Sequence, residues 1–235
     1  MERLTALVPM RGRSERVPDK NIRAFGGKPL FYWILTTLRG CPSVDCIYVD
    51  TDSPAIKEKI GEFFGSSINT IDRPARLLGE HVSMNRIIEY DISVIEGGTH
   101  FLQTHSTNPL LKLSTIEEAA RAYRYALKEG HDSLFSVTKR LSRYYDTELR
   151  PINHDPSMLE RTQDLKPLLE ENSNFYIFSR ESFRETSSRL GKRPCAFEVE
   201  KMEGMDIDDE QDFRLTELAL RLRTEQSPLP GVIQK

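Results

Sequence analysis

The sequence predicts an α/β fold in which a mainly parallel, twisted sheet lies between helices. Three observations lead to this class. Short apolar segments alternate with longer segments whose apolar residues recur at helical spacing. The connections between these segments are short, as in parallel sheets that helices cover on both faces. Hydrophobic residues make up 38% and charged residues 29% of the 235 positions, a balance typical of a globular core.

The first part of the chain shows the alternation most clearly. The predicted elements are, in order, a strand in LTALVP, a helix in PLFYWILTTLRG, a strand in CIYVDTD, a helix in SPAIKEKIGEFFG and a weak strand in INTI. The second helix carries its own boundary signals. Ser53 is the predicted N-cap, Pro54 takes the first helical position and Gly65 ends the helix.

The same alternation continues through the middle of the chain. Next come a helix in SMNRIIEYDISVIEGG, a strand in HFLQT, a helix in STIEEAARAYRYALKEG and a strand in SLFSVT. The helix that ends at Gly130 opens with a predicted capping box, in which Ser114 pairs with Glu117.

The alternation stops after Thr138. Residues 139–174 are polar, contain prolines and show little periodicity. A structureless loop of that length is unusual inside a compact domain, so we expect an inserted subdomain, a lid or a dimerisation arm at about 140–174. FYIFS and AFEVE predict two more strands, DDEQDFRLTELALRLR predicts a final helix, and residues 224–235 are expected to form a flexible tail.

Bulk properties exclude several function classes. A net charge of −3 argues against binding nucleic acid through a basic surface. The three cysteines form no C-x-x-C pair, which predicts a reduced, cytoplasmic protein without a zinc site or disulfide framework. No apolar stretch approaches the roughly 20 residues that span a bilayer, and the N-terminus lacks a signal-peptide apolar region, so no membrane association is expected.

The opening loop, residues 10–28, concentrates positive charge just after the first predicted strand. It contains six cations, Arg11, Arg13, Arg16, Lys20, Arg23 and Lys28. Ligands of parallel sheets collect at the C-terminal ends of strands, and glycine with Arg and Lys suits a polyphosphate. The loop is neither a Walker A loop nor a G-x-G-x-x-G motif. A solvated turn is the alternative, and the position after the first strand favours the ligand site.

The opening loop carries the pattern R-x-x-S-x-R-x-P-x-K-N, and the chain here resembles the CMP-sugar synthetases. These cytidylyltransferases activate sialic acid and related 3-deoxy-2-ulosonic acids. The pattern is formed by Arg11, Ser14, Arg16, Pro18, Lys20 and Asn21. Further matching segments follow in order: FGGKPL at 25–30, TD at 51–52, RPARL at 73–77, LQ…PL at 102–111, TQDLKP at 162–167 and DIDDEQDF at 206–213.

The resemblance implies a Rossmann-like nucleotidyltransferase fold over residues 1–223. The arm at about 140–174 would pack against a second subunit and complete its sugar pocket, so a homodimer is expected. The implied reaction is attack by the anomeric hydroxyl of the sugar acid on the α-phosphate of CTP, which releases pyrophosphate and forms a CMP-sugar.

The resemblance also implies roles for individual residues. Arg11 and Lys20 would hold the CTP phosphates and act in catalysis, Ser14 would bind a phosphate and Asn21 would lie near the cytosine. The nucleotide-binding set is Arg11, Gly12, Ser14, Lys20, Asn21 and Arg73. One departure from the family stands at Glu15, where sialate enzymes usually carry Lys; Arg13 or Arg16 would have to compensate.

The sugar-binding set is less regular. Gln103 would face the incoming sugar and Asn172 matches a family position beside it, whereas Ser173 replaces the common glycine. Lys139 and Arg143 suit a sugar carboxylate because Arg offers paired donors, and an exposed connection explains them equally well. The complete predicted set is Gln103, Lys139, Arg143, Gln163 and Asn172. His105, Ser106 and Asn108 either line an altered pocket or are ordinary loop residues.

Two acids near the end of the chain predict a metal site. Asp206 and Asp208 are two residues apart, which places both carboxylates on one side of extended backbone. Mg²⁺ is typically held by one or two carboxylates plus substrate phosphates, and Asp208 is also a predicted catalytic residue. The alternative is a helix start, and Asp209 and Asp212 are assigned to capping. Asp50 and Asp52 lie at the end of the second predicted strand, where a structural role is preferred over a contact with the nucleotide.

Two competing functions stay open at this point. One is an enzyme of the same fold that uses another nucleotide or a sugar-1-phosphate, although a G-x-G-T-R loop is absent. The other is a non-catalytic relative that binds nucleotide or sugar as a regulator.

Overall fold

A computed structural model describes residues 3–79 and 81–226. The strands are β1 (Leu4–Leu7), β2 (Ala24–Phe25), β3 (Lys28–Pro29), β4 (Val44–Thr51), β5 (Asn69–Asp72), β6 (His100–Thr104), β7 (Ser133–Arg140), β8 (Leu168–Ser179) and β9 (Pro194–Glu198). The helices are α1 (Leu30–Gly40), α2 (Pro54–Phe64), α3 (Met84–Val94), α4 (Leu113–Lys128), α5 (Arg180–Thr186) and α6 (Glu210–Gln226). Short 3₁₀ helices occupy Gly65–Ser67, Ala75–Leu77 and Thr162–Asp164.

Seven of the strands form one sheet, in the order β5-β4-β1-β6-β8-β7-β9. Strands β5, β4, β1 and β6 pair in parallel, and β7 pairs in parallel with β9. Strand β8 runs antiparallel to both of its neighbours. The prediction of a mainly parallel α/β sheet is therefore confirmed. Strands β2 and β3 form a separate small ribbon at the end of the opening loop.

Helices cover both faces of the sheet. Ala6 and Val8 pack in a cluster with residues of α1, α2 and α4, whereas Leu7 packs with α3 and α5 on the other face. Successive residues of β1 thus point into two different apolar layers, which explains why this strand has no polar face. In the described part of the chain, no helix is long and apolar enough to cross a membrane.

A third apolar cluster joins the two ends of the chain. It is formed by Val17, Phe25, Leu30, Leu110, Ile207, Phe213 and Leu220. Its members come from the opening loop, the start of α1, the loop after β6 and the segment that contains α6. This packing holds residues 206–208 against the opening loop, so the cluster positions the site described below.

The helix boundary predictions had opposite outcomes. The prediction for α2 is confirmed: Ser53 Oγ accepts a hydrogen bond from Ile56 N, and Gly65 follows the last helical residue. The capping box predicted for α4 is wrong, because the helix begins at Leu113 and Ser114 lies inside it. The Glu117 carboxylate instead accepts from Ser43 N at 2.7 Å and Oγ at 2.8 Å, and so fixes the connection from α1 to β4.

The segment between β7 and β8 is shorter than the predicted irregular region. Strand β7 continues to Arg140 and β8 starts at Leu168, so the arm consists of residues 141–167. Asn153 holds its base together, since its amide nitrogen donates to Ser142 O at 2.8 Å and Lys166 O at 3.0 Å. The predicted tail begins at Thr224; α6 continues to Gln226, and residues 227–235 lie outside the described residues. Helix α5 and the β2–β3 ribbon were not predicted.

Candidate active site

A cleft of about 700 Å³ lies beyond the C-terminal ends of the parallel strands. It is bordered by the segments that follow β1, β4, β5 and β6, by Ser173 and Arg189, and by Asp206 and Asp208 before α6. Seven of the eight predicted nucleotide or metal residues line it, all except Gly12: Arg11, Ser14, Lys20, Asn21, Arg73, Asp206 and Asp208. The cleft lies where the ligand-site rule for parallel sheets predicts one.

Hydrogen bonds hold the opening loop in a fixed shape. Gly12 N donates to Asp52 Oδ1 at 2.7 Å, and a Cβ at Gly12 would lie 2.7 Å from Ser53 Cβ, so the approach requires glycine. Asn21 Nδ2 donates to Arg11 O at 2.9 Å, and Asn21 Oδ1 accepts from Ser106 Oγ at 2.5 Å. The Asn21 amide nitrogen thus braces the loop internally, and its amide oxygen ties the loop to Ser106 after β6.

The cations of the loop meet the late acids directly. Lys20 Nζ donates to Ile207 O at 2.6 Å, between Asp206 and Asp208 in the sequence. Arg16 Nη2 lies 2.9 Å from Asp208 Oδ1. Burial lowers the pKa of Lys20, and the carboxylates of Asp206 and Asp208 oppose that shift. An ammonium group and two carboxylates far apart in the chain are therefore neighbours at one end of the cleft.

The two predicted metal ligands have different environments. Burial raises the pKa of Asp206, whose Oδ1 is buried and has no hydrogen-bond partner. Asp208 is about half exposed. No group of three or more His, Cys, Asp or Glu residues suited to a metal is present among the described residues. The donor set is two carboxylates, one with an unused oxygen, which fits a hard cation that completes its shell with phosphate oxygens.

The neighbouring acids cap α6, as predicted. Asp209 Oδ1 accepts from Gln211 N at 2.8 Å and Asp212 N at 2.9 Å. Asp212 Oδ2 accepts from the backbone N–H groups of Asp208 and Asp209, each at 3.1 Å. These bonds satisfy the free donors of the first helical turn, and they hold the backbone of Asp208 in place.

Behind Arg73 lies a buried pair of acids that sequence analysis did not find. Arg73 forms an ion pair with Asp50 in which both side chains are almost fully buried. Asp91 of α3 faces Asp50; burial raises its pKa to about 9, the Asp50 carboxylate adds to the shift and Arg73 opposes it. The raised pKa favours the protonated form of Asp91 beside Asp50. Asp50 and Asp52 both have structural bonds, as preferred from the sequence.

A bulge in β8 brings Ser173 to the cleft. Four residues, 172–175, lie opposite Ser136 of β7. Ser136 Oγ donates to Asn172 Oδ1 at 2.6 Å, and Asn172 Nδ2 donates to Thr138 Oγ1 at 2.9 Å. Ser173 has a positive φ of 54°, a conformation that favours glycine. Asn172 is thus buried in the bulge, where its amide holds the strands together.

The remaining predicted sugar-binding residues do not line the cleft of their own chain. Lys139 is exposed near the end of β7, Gln163 is exposed in the arm and Arg143 donates to Glu160 O within the arm. Gln103 is fully buried, but it contacts two residues that do line the cleft, His105 and Arg189. Arg189 had no motif signal in the sequence, because it lies in a loop distant from every matched segment.

Comparisons with known proteins agree with this geometry. The family model described as "Cytidylyltransferase" matches residues 5–222. The N-acylneuraminate cytidylyltransferase of Oncorhynchus mykiss is 27% identical over 226 residues, which cover 91% of this chain and 49% of that protein. The same enzyme of Streptococcus agalactiae is 26% identical over 218 residues, covering 88% and 51%. The chain thus spans about half the length of these relatives.

A shorter relative and two solved structures match over nearly their whole length. The pseudaminic acid cytidylyltransferase of Campylobacter jejuni is 21% identical over 231 residues, covering 94% of this chain and 97% of that protein. The structure of CMP:2-keto-3-deoxy-manno-octonic acid synthetase with CTP has a TM-score of 0.68 at 14% identity, covering 94% and 100%. The 4-diphosphocytidyl-2C-methyl-D-erythritol synthase of Anaerococcus prevotii has a TM-score of 0.65 at 11% identity, covering 94% and 99%. These two likenesses show the fold.

Proposed function

The chain belongs to the cytidylyltransferase family, and from that premise we propose that it transfers CMP from CTP to a 3-deoxy-2-ulosonic acid. The anomeric hydroxyl of the sugar acid attacks the α-phosphate, the bond to the β-phosphate oxygen breaks, and pyrophosphate leaves. The printed names of the relatives, which concern N-acylneuraminate and pseudaminic acid, support a nonulosonic acid as the acceptor.

One observation carries the proposal. Lys20 Nζ is 2.6 Å from the carbonyl oxygen of Ile207, so the main cation of the opening loop touches the segment that holds both acids. A triphosphate needs cations for its oxygens and a metal-binding carboxylate pair beside them. This juxtaposition brings both to one cleft, where the apolar cluster of Val17, Ile207 and Phe213 holds the two segments together.

The cations of the opening loop would bind the triphosphate. Arg11 and Lys20 neutralise the charge that develops on the pyrophosphate as it leaves, and Ser14 donates to a phosphate oxygen. Glu15 lines the cleft where related enzymes usually have a cation. Arg13 also lines the cleft, whereas Arg16 is paired with Asp208, so Arg13 is the better substitute for the missing charge.

Asp206 and Asp208 would hold a Mg²⁺ ion. The buried, unpartnered Oδ1 of Asp206 supports this assignment, since a cation would satisfy it. When bound, the ion neutralises phosphate charge and polarises the phosphorus centre. The chain itself provides the alignment: Lys20 and Arg11 fix the triphosphate, and no covalent intermediate with the protein is required.

The arm would form the interface of a homodimer. It exposes several large apolar side chains, and the most exposed are Leu149 at 79% and Leu159 at 96%. Exposed apolar residues concentrated on one projecting segment are typical of an interaction surface. Arg143, Gln163 and Lys139 lie on or beside the same segment, from which they would reach the sugar pocket of a second copy. A measured mass of twice 27.1 kDa in solution is the expected result.

We also retain the cytoplasmic location as a proposal. It is supported by the three cysteines, Cys41, Cys46 and Cys195, which are all free thiols in the structure.

The reaction is tested by incubating the protein with CTP, Mg²⁺ and a panel of 3-deoxy-2-ulosonic acids. Pyrophosphate release and the mass of a CMP conjugate are measured, and UTP, GTP and ATP serve as alternative nucleotides. We expect one or more CMP-sugars with CTP and at least tenfold lower rates with the other nucleotides. Two results would contradict the proposal and favour one of the two competing functions. One is product formation from a sugar-1-phosphate, and the other is nucleotide binding without pyrophosphate release in the presence of any of the acids.

A further inference from the structure

Arg189 is held rigidly at the edge of the cleft. It lies in the loop after α5, where Ser187 (φ 52°) and Gly191 (φ 63°) reverse the backbone. Its guanidinium carbon is 3.6 Å from the centre of the Tyr176 ring, and its backbone N–H donates to Asn85 Oδ1 at 3.4 Å. Stacking on the ring fixes the plane of the guanidinium, and this plane sets the directions of its N–H donors.

The charge of Arg189 has no acidic partner in the described part of the chain. No carboxylate oxygen lies within 4.0 Å of its nitrogens there. The charge of Glu171 acts on the pKa of Arg189 from a greater distance, and the Glu171 carboxylate accepts a hydrogen bond from the Tyr176 hydroxyl. Burial lowers the pKa of Arg189, although a guanidinium stays protonated at neutral pH. A partly buried cation that has no acidic partner suits an anionic ligand, whose charge would pair with it.

Arg189 also determines how the neighbouring polar groups are oriented. Its Nη1 donates to Gln103 Oε1 at 2.6 Å, so the amide oxygen of Gln103 faces the cation. The amide nitrogen then faces His105 Nε2 at 3.0 Å and Thr104 O. Burial lowers the pKa of His105 to about 3, so its ring is neutral and Nε2 accepts this hydrogen bond. The hydrogen of the ring is therefore on Nδ1.

His105 lies near cations from two different parts of the cleft. Lys20 and Arg189 both lower the pKa of His105 through space, and both line the same cleft as its ring. Among the described cations of the cleft, Arg11, Arg13 and Lys20 belong to the opening loop and Arg73 is paired with Asp50. Arg189 comes from the loop after α5, apart from both of these segments in the sequence.

We infer that Arg189 binds the carboxylate of the sugar acid within its own chain and thereby selects acids over neutral sugars. This inference rests on the proposed function. The carboxylate and the attacking hydroxyl of a 3-deoxy-2-ulosonic acid are bonded to the same carbon. Holding the carboxylate at Arg189, beside Gln103, therefore keeps the hydroxyl within the cleft that the opening loop also lines. The planar guanidinium offers two parallel N–H donors that match a carboxylate.

The test compares the preferred acid of the panel with its carboxamide, which keeps the shape and loses the charge. Three variants are needed: Arg189→Met, Arg189→Lys and a control, Arg184→Met, which removes a cation of α5 that does not line the cleft. Initial rates give kcat and KM for the acid. Calorimetry with a non-hydrolysable CTP analogue bound gives the dissociation constants of acid and amide, and calorimetry without sugar gives the affinity for CTP.

We expect Arg189→Met to reduce kcat/KM for the acid about a hundredfold, as for loss of a charged hydrogen-bonded contact. In Arg189→Met the affinity for the amide and for CTP should change less than threefold. The kcat/KM of Arg189→Lys for the acid should lie between those of Arg189→Met and the wild type, and Arg184→Met should match the wild type. Equal losses for acid and amide in Arg189→Met would overturn the inference, because they indicate a structural role alone. If the wild type forms no CMP-sugar with any acid, the proposed function itself fails; if it does form one and Arg189→Met keeps the acid preference, only the role of Arg189 fails.

Discussion

The two ends of the cleft are built in different ways. At the proposed phosphate end, one contiguous loop supplies Arg11, Ser14 and Lys20, and a short acidic segment supplies Asp206 and Asp208. At the proposed sugar end, His105, Ser173 and Arg189 come from three separate segments. Residues that lie in one contiguous loop form a sequence motif that can be recognised, whereas single residues from separate segments do not. Under the proposed function the difference has a reason in the ligands, because the triphosphate is constant whereas acceptor sugars differ in their substituents.

The largest effect is expected at Lys20. Lys20→Met removes the ammonium group beside both acids, and kcat should fall about a thousandfold because charge on the leaving pyrophosphate is no longer neutralised. Lys28→Met is the matched control. Lys28 belongs to the same loop, but its ammonium lies over the rings of Tyr32 and Phe63, away from the cleft. Steady-state rates with saturating CTP give kcat for both variants. A similar loss of kcat in the two variants would contradict a specific role for Lys20 in the cleft.

The next largest effect is expected at Asp206. Asp206→Asn should reduce kcat about a hundredfold and raise the Mg²⁺ concentration needed for half-maximal rate, since a metal ligand loses its charge. The same change should raise the melting temperature, because the buried carboxylate has an unpartnered oxygen. Asp209→Ala should behave in the opposite way: loss of the α6 cap costs about 1 kcal/mol, and the metal dependence stays unchanged. A lower melting temperature for Asp206→Asn would contradict this account.

A pH-dependent effect is expected at Asp91, behind the phosphate end. Its pKa is about 9 in the fold against 3.8 ordinarily, so the folded protein keeps a proton that the unfolded chain releases. Stability should therefore fall as the pH rises from about 4 toward 9.

Asp91→Asn removes this dependence. The variant should gain relative to the wild type as pH rises, by up to about 1.4 kcal/mol per pH unit. Urea unfolding at pH 5.5, 7.0 and 8.5 measures the difference. Parallel stability curves for the two proteins would show that Asp91 is ionised in the fold.

The smallest effect is expected at Ser173, at the sugar end. Ser173→Gly relieves a positive φ and should raise the stability by about 0.5 kcal/mol, since the gain is partly offset by the entropy of glycine in the unfolded chain. KM for CTP should not change, whereas KM for the sugar acid should shift modestly because the residue lines the cleft. A change in KM for CTP alone would show that the two ends are not independent.

Much of the fold could be predicted because local signals and packing agree. Strand β1 has apolar residues toward both faces, and α2 has its cap, its proline and its terminal glycine. The Ser114–Glu117 pattern failed because Glu117 has a stronger use across the molecule, on Ser43. Strand β8 was underestimated because Asn172 and Asn174 are poor strand formers that the bulge accommodates through buried hydrogen bonds.

Only part of the candidate site could be predicted from the sequence. The convergence of Lys20 with Asp206 and Asp208 was predictable from two motifs. The contact between Asp50 and Asp91 behind Arg73 and the place of Arg189 in the cleft were not, because nothing in the spacing of these residues indicates which of them meet in the fold. Tertiary packing alone brings them there, through α3 and the loop after α5.

The cluster of Val17, Phe25, Ile207 and Phe213 has a consequence for biosynthesis. The lysine–carbonyl bond that closes the phosphate end joins residues separated by 187 positions. Until the ribosome has released Ile207 and the helix after it, the nascent chain has no partner for its cationic loop. The cationic loop can therefore make this contact only after residue 207 has left the ribosome, and a chain that stops before that point would lack the Lys20–Ile207 bond.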